Sequence, residues 1–217
     1  MVRKTKEDAE ATRASILDAA ERLFYSQGVS RTSLQDIASA AGVTRGAIYW
    51  HFKDKSDVFI AMMDRVVLPM EVAEAQLSVD DDRPVLARLR QRAQDLFATA
   101  MGCESLRRIM DISMHKVEYV DELDAVRLRR IQMRSTFRQP AEQLLRRGQQ
   151  RGEVVAAVPA AQLAVGLQLV IEGVLTNWLL DPEGFDLPKI GLAVVDVHLA
   201  GMAAPPRAAP RGKATPT

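Results

Sequence analysis

Apolar residues recur at every third or fourth position along most of the chain, with polar residues filling the intervals. Residues three and four apart share one helix face, so this pattern predicts helices. Over 7–27, Ile16, Leu17, Ala20, Leu23 and Phe24 form one stripe, and Asp18, Glu21 and Arg22 are expected on the polar side. Gly28 suits a left-handed cap at its end. A second helix is predicted from Thr32, where Thr32 and Gln35 fit a capping box, to Ala41 and Gly42. Thr44 caps a short third helix to His51, and Asp54 caps a fourth from Lys55 to about Ser78, kinked at Pro69. After the acidic turn Asp80-Asp81-Asp82 and Pro84, a fifth helix runs to Met101. Further helices fit 104–118, 121–151 with Pro140 as a possible break, 159–180 and 186–201. No alternating strand pattern and no internal repeat competes, so the expected fold is all-α.

The 217 residues are 47% hydrophobic and 26% charged, the mix of a globular chain long enough to bury a core without staples. The single cysteine, Cys103, excludes an internal disulfide and suits a reducing compartment. The basic opening Arg3-Lys4-Thr5-Lys6 runs into Glu7-Asp8-Ala9-Glu10 rather than the apolar stretch of a signal peptide. No run approaches the roughly 18 consecutive apolar residues of a membrane span, so a soluble cytoplasmic protein without a membrane partner is expected. A net charge of +1 gives no bulk attraction to nucleic acid, and a DNA-binding role has to rest on local pattern. His51, His115 and His198 lack metal-site spacing, and neither a metal nor a cofactor is expected. The tail 203–217 is rich in Ala and Pro, carries Arg207, Arg211 and Lys213, and is expected to be disordered.

Residues 33–52 read Ser-Leu-Gln-Asp-Ile-Ala-Ser-Ala-Ala-Gly-Val-Thr-Arg-Gly-Ala-Ile-Tyr-Trp-His-Phe. Two short helices flanking a turn at Gly42 are the pattern of a helix-turn-helix. Ala38 and Ala41 are small enough for close helix approach, Gly42 supplies the unusual backbone angle, and Val43 fills the turn. With Ala47, Ile48 and Phe52 inward, the third helix leaves Thr44, Arg45, Gly46, Tyr49, Trp50 and His51 outward or at the edge. Arg45 suits a guanine edge in the major groove, while Tyr49 and His51 suit phosphates. The helix starts at Thr32-Ser33 and at Thr44 offer backbone N–H groups to phosphate oxygens, and Lys53 and Lys55 add charge beside them. A helical hairpin with aromatics as core is the plainer alternative.

The unbroken Gly-Val-Thr-Arg-Gly-Ala-Ile-Tyr-Trp-His-Phe-Lys-Asp-Lys-Ser at 42–56 resembles the DNA-binding domain of TetR-family repressors. Arg3-Lys4-Thr5-Lys6 and His115-Lys116-Val117-Glu118-Tyr119 are similar to the AcrR-like branch, which represses operons for resistance-nodulation-division multidrug efflux pumps. The resemblance is specific over 1–60 and thinner but continuous to about residue 200; from Arg207 onward it says nothing. It implies a homodimer with a helix-turn-helix domain at 1–54 and an effector-binding and dimerisation domain at 55–202. In the family, residues matching Thr32, Arg45, Tyr49, His51 and Lys55 contact DNA.

The stretch 160–180 is almost wholly apolar and expected to be buried on most sides, yet Gln168, Glu172 and Thr176 form a polar stripe at intervals of four. A carboxylate there needs a partner. Either Glu172 pairs with an arginine of the seventh helix, or it lines an effector cavity and meets a cationic ligand; the family places its pocket against this helix, which favours the second. Seven of the nine methionines lie between Met62 and Met133, and flexible thioethers suit a cavity of variable contents. Met63, Val67, Phe97, Met110, Met114 and Phe137 are the expected walls beside Gln168, Glu172 and Thr176, with ordinary core filling as the alternative for each. His115 reads as a structural hydrogen-bonding residue, and eight arginines between Arg127 and Arg151 as a solvated face. Val170, Gly173, Val174 and Trp178 with Val194, Val197 and His198 suit a symmetric interface of helices eight and nine, with Gly166 and Gly173 allowing close packing.

The expected function is a ligand-responsive transcriptional repressor, not an enzyme. It would bind the palindromic double-stranded operator of an efflux operon and leave it when a small apolar or cationic effector binds. A TetR-type regulator of unrelated metabolic genes is the first rival. An architectural DNA binder fits poorly with near-neutral charge. An all-α enzyme around Glu172 and His115 would lack a nucleophile, a phosphate loop and a metal set.

Overall fold

The computed structural model describes residues 6–76, 83–119 and 121–205. A three-helix head is built from α1 (Lys6–Gln27), α2 (Leu34–Ala41) and α3 (Arg45–His51). From it α4 (Lys55–Gln76) leads into a body of α5 (Val85–Gly102), α6 (Glu104–His115), α7 (Asp124–Arg151), α8 (Ala160–Leu180) and α9 (Leu192–Met202). The all-α expectation holds: among the described residues the β-structure is an isolated bridge between Val154 and Ala203. Ser78, the acidic turn Asp80-Asp81-Asp82 and residues 206–217 of the expected tail lie outside the described residues.

Several ends differ from expectation for local reasons. α6 stops at His115 rather than 118, because the chain turns so that the Lys116 carbonyl accepts from the Val29 N–H at 3.1 Å, just beyond α1. α7 follows one 3-10 turn (Asp121–Leu123) and runs unbroken through Pro140. Proline removes one backbone hydrogen bond there, but buried Val126 on one flank and Leu144, Leu145 and Gly148 on the other hold both halves. The expected start of the last helix is a wide turn (Leu187–Gly191), capped where Asp186 accepts from the Lys189 N–H at 2.9 Å.

Two buried clusters hold the molecule. The first joins Ile16, Leu17, Phe24, Ile37, Ile48 and Phe52 of the head to Val58, Phe59, Met62 and Met63 of α4, Ile109 and Ile112 of α6, and Val126 of α7. The 54/55 division therefore falls inside one continuous core. The second joins Leu89 and Phe97 of α5 to Leu144 and Leu145 of α7, Leu167, Leu175 and Trp178 of α8, and Val195 and Leu199 of α9. Glu21 does not lie on the polar side: four residues after Leu17 and three before Phe24, it shares their buried face and is 7% exposed.

α8 is long and apolar enough to cross a membrane by length and composition, a property the count of uninterrupted apolar residues missed because Gln162, Gln168, Glu172 and Thr176 break the run. Nor is it buried on most sides. Ala164, Leu167, Leu175, Trp178 and Leu179 face the second core, whereas Val165, Leu169 and Leu180 stand exposed.

The arginines of α7 are not one solvated face. Arg129 donates through Nε to Asp64 at 2.9 Å and through both terminal nitrogens to Glu71 at 3.1 Å, and its side chain is 11% exposed. Burial alone would push its pKa down, but the two carboxylates outweigh burial and raise it. Asp64 and Glu71 bracket Pro69, where α4 lacks the hydrogen bond to the Arg65 carbonyl. Arg129 thus splints α4 across its weak turn.

Arg129→Met should lower the unfolding free energy by about 2 kcal/mol, less than for a fully buried pair because water reaches the stranded Asp64; a denaturant titration with unchanged slope would measure it. The start of the expected disordered tail is pinned, since Ala203 bridges Val154 and the Ala204 N–H donates to the Glu153 carbonyl at 3.0 Å. A chain ending at Pro205 should therefore keep the full-length melting temperature, and one ending at Met202 should lose about 1–3 kcal/mol, the net worth of the two hydrogen bonds that Ala203 and Ala204 donate.

Candidate nucleic-acid interface and effector region

The head is set by four caps, at Gly28, Ser33, Gly42 and Thr44. Gly28 adopts φ +85°, as expected for the end of α1. Its carbonyl accepts from the Thr32 hydroxyl at 2.8 Å, and that hydroxyl in turn accepts from Gln27 Nε2 at 3.1 Å. Thr32 is consequently buried and engaged, and the capping box falls to its neighbour. The Ser33 N–H donates to the Asp36 carboxylate at 2.9 Å, and the Asp36 N–H donates to the Ser33 hydroxyl at 3.1 Å. This replaces the expected Thr32–Gln35 box. The same two Ser33 groups, hydroxyl first, hold the Asp36 carboxyl below its ordinary range.

Gly42 adopts φ +68°, which lets the Val43 N–H reach the Ala38 carbonyl at 3.0 Å and turns the chain into α3. Thr44 caps α3 as expected, accepting from the Ala47 N–H at 3.2 Å. Ile48 and Phe52 are buried, and the Arg13 guanidinium lies over the Phe52 ring, 5.2 Å from its centroid. What α3 turns outward is Thr44, Arg45, Gly46, Tyr49 and Trp50, the last 74% exposed, with His51 half-buried at the edge. Trp50 and His51 meet edge to face with centroids 4.6 Å apart. Arg45 folds back over Tyr49, donating to its hydroxyl at 3.1 Å with the guanidinium 5.6 Å from the ring centre. Sequence spacing of four signals this pair. Lys55 does not join this face: it is 8% exposed, and its ammonium lies 3.4 Å from Glu122.

The nine expected effector residues divide. Met110 and Met114 of α6 are half-buried against the second core, beside fully buried Phe97, and the Thr176 hydroxyl donates to the Met114 sulfur at 3.4 Å. Met63 belongs to the head-side core, Val67 is buried, and Phe137 is half-buried on α7. Of the polar stripe, Gln168 donates to Glu172 at 2.8 Å, and Arg134 of α7 reaches the same Glu172 oxygen at 2.9 Å. Glu172 is therefore paired with an arginine of the seventh helix. His115 is bonded through Nδ1 to Asp111 at 2.7 Å, and its Nε2 is buried without a partner. Two clefts, of about 130 and 360 Å³, lie elsewhere, one lined by Tyr25, Arg107, Asp111 and Leu179, the other by Arg13, Ile60, Asp64 and Leu68.

The exposed apolar surface of α8 and α9 differs from the one expected. Gly173, Val194 and Val197 are exposed, but Trp178 is buried within its own chain and Val170 and Val174 pack on the second core. The uncovered apolar stripe runs instead through Val165, Leu169 and Gly173. A Cβ on Gly166 would lie 3.3 Å from the His198 ring, so that glycine serves packing inside the chain, whereas one on Gly173 would meet nothing within 4 Å.

A small head that exposes one face of its second short helix, joined to a larger helical body, is a helix-turn-helix transcriptional regulator. Residues 16–62 match the tetR family of bacterial regulatory proteins, and 86–203 match the C-terminal region of MAATS-type transcriptional repressors. The transcriptional regulator AcrR of Shigella flexneri is 39% identical over 191 residues, covering 87% of this chain and 88% of its own. The structure of NalD, described as the secondary repressor of the MexAB-OprM multidrug efflux pump in Pseudomonas aeruginosa, superposes with a TM-score of 0.83 at 36% identity, over 90% of this chain and 98% of that one. SmeT, the repressor of the Stenotrophomonas maltophilia efflux pump SmeDEF, in complex with triclosan gives 0.78 at 32%, over 95% and 99%. The chain belongs to the TetR family.

Because Arg134 and Glu172 are 39% and 28% exposed, Glu172→Gln should change stability by less than about 1 kcal/mol. Thermal unfolding of the two proteins side by side checks this, and a loss of several kcal/mol would show the pair to be dry.

Proposed function

We propose that this protein represses an operon encoding a multidrug efflux pump and that a small apolar compound entering the helical body releases it from DNA. The observation that carries the reading is the α3 face, where Arg45, Tyr49 and Trp50 stand in solvent on a helix whose other side is fixed by Ile48 and Phe52. In this reading Arg45 reads a base edge where Gly46 allows close approach, and Ser33, Thr44, Tyr49, Trp50 and His51 meet backbone phosphates. Thr32 and Lys55, whose polar groups are engaged inside the protein, brace the head. NalD and SmeT, both described as efflux-pump repressors, support the choice of target.

The apolar stripe Val165, Leu169 and Gly173 of α8, with Val194 and Val197 of α9, is the surface a second copy covers. Two α3 helices would then lie one DNA turn apart, about 34–36 Å, and read a palindrome. The effector enters between α6, α7 and α8, against Met110, Met114, Phe137 and Thr176. Gln168 and Glu172 are satisfied by each other and by Arg134, so neutral apolar compounds are favoured over cations. Triclosan is the first compound to try, since SmeT is known in complex with it. A protein that acts on the chromosome works in the cytoplasm.

DNA upstream of its own gene, and of any efflux-transporter genes found beside it, should bind the purified protein, and triclosan should release it. Arg45→Ala should relax discrimination at one operator position by about 1–3 kcal/mol. Tyr49→Ala should weaken all sequences alike, through the lost phosphate contact. Fluorescence anisotropy over a set of single-base operator variants separates the two; a uniform loss for Arg45→Ala would move that residue to the phosphates.

A further inference from the structure

One buried carboxylate ties together three helices, and neither the DNA contacts nor the effector walls use it. The Glu21 Oε2 on α1 accepts from Arg65 Nη2 of α4 at 3.2 Å and from the Ser105 hydroxyl of α6 at 2.9 Å. Its Oε1 lies 3.8 Å from Arg108 Nη1, also of α6. Arg65 also donates through Nη1 to Asp18 at 2.6 Å, so α4 is forked onto two acids one turn apart on α1.

The two sides of this knot are unequal. Arg65 and Ser105 sit at hydrogen-bond distance, whereas Arg108 stands at the outer edge of an ion pair and keeps a hydrogen bond to Glu104 on its own helix. An α6 displacement of about an ångström would either draw Arg108 onto Glu21 or break the Ser105 bond. Away from bulk water such an exchange depends strongly on distance. α6, like α7, touches both cores, with Ile109 and Ile112 in the first and Met110 and Met114 against the second. What fills the body beside Met110 and Met114 is therefore one helix away from the acid that holds α1 to α4.

We infer that Glu21 is a positioning residue, and that its knot with Arg65, Ser105 and Arg108 couples the state of the helical body to the orientation of the DNA-reading head. The inference rests on the DNA-binding reading above and adds the residues through which the two halves communicate. Coupling of this kind is reciprocal, so DNA on the head must act on α6 as an effector in the body acts on the head.

That reciprocity gives a test without an identified effector. Amide hydrogen exchange of the full-length protein is measured with and without duplex DNA from its own promoter. In the wild type, DNA should slow exchange across α1–α3 and also across α6, residues 104–115, by about 5-fold or more. In Ser105→Ala the response of α1–α3 should remain and that of α6 should fall towards unity; Ser105→Thr, which keeps a hydroxyl, should restore it. Glu21→Gln should behave as Ser105→Ala does. Should that variant fold poorly, the serine pair carries the test alone, because it strands no charge. A knot that merely braces the fold would raise α6 exchange equally with and without DNA, leaving their ratio at the wild-type value, and that result overturns the inference. So does a wild-type α6 that ignores DNA while the head responds. A wild type that binds neither its own promoter DNA nor the operon DNA named above would instead remove the functional reading, and the inference with it.

Discussion

The head cannot close its own core, and the rest of the architecture follows from that. About fifty residues bury only a marginal apolar surface, and here α1–α3 complete their interior with side chains from beyond them. Val58, Phe59, Met62 and Met63 of α4 fill one side, and Ile109 and Ile112 of α6 fill another. The Phe24 and Phe59 rings, centroids 5.7 Å apart, mark the seam. Because α4 and α6 are shared, the reading helix cannot change its direction without disturbing helices that also belong to the body. A regulator that had to signal between two self-sufficient domains would need a separate linkage; this one has the linkage as a condition of folding.

Much of this was legible in the sequence where a local rule decides. The helical period placed the helices, and Gly28, Gly42 and Thr44 ended or began them where backbone geometry demands. Legibility failed where a distant partner decides. Whether Thr32 or Ser33 caps α2 depends on the Gly28 carbonyl, which claims the threonine hydroxyl. Lys55 looks like a surface cation until Glu122, far along the chain, arrives beside it. Glu21 is the exception, since its spacing from Leu17 and Phe24 puts it on the buried face and only its charge suggested otherwise. The face of α8 was hard to read for another reason: a helix apolar nearly all round carries little angular information. Trp178 could therefore be assigned to a partner when it fills its own chain's core.

The ion pairs of the body have a common logic that bears on what it can bind. Arg129 is held by Asp64 and Glu71, Arg134 by Glu172, and Arg90 by Asp196. Each links two helices, and each uses a planar guanidinium, which can satisfy two acceptors at once and loses less freedom per bond than a lysine. An acid already matched in this way is a poor site for a cationic guest, because the guest has to displace an arginine held in place by the fold. The unmatched surfaces beside it are thioether, phenyl and methyl groups, from Met110, Met114, Phe137 and Thr176. An effector held there, as proposed above, would be bound through apolar area and could vary in shape. On the proposed function, a broad effector range would come from polar groups that are already satisfied rather than from polar groups left waiting.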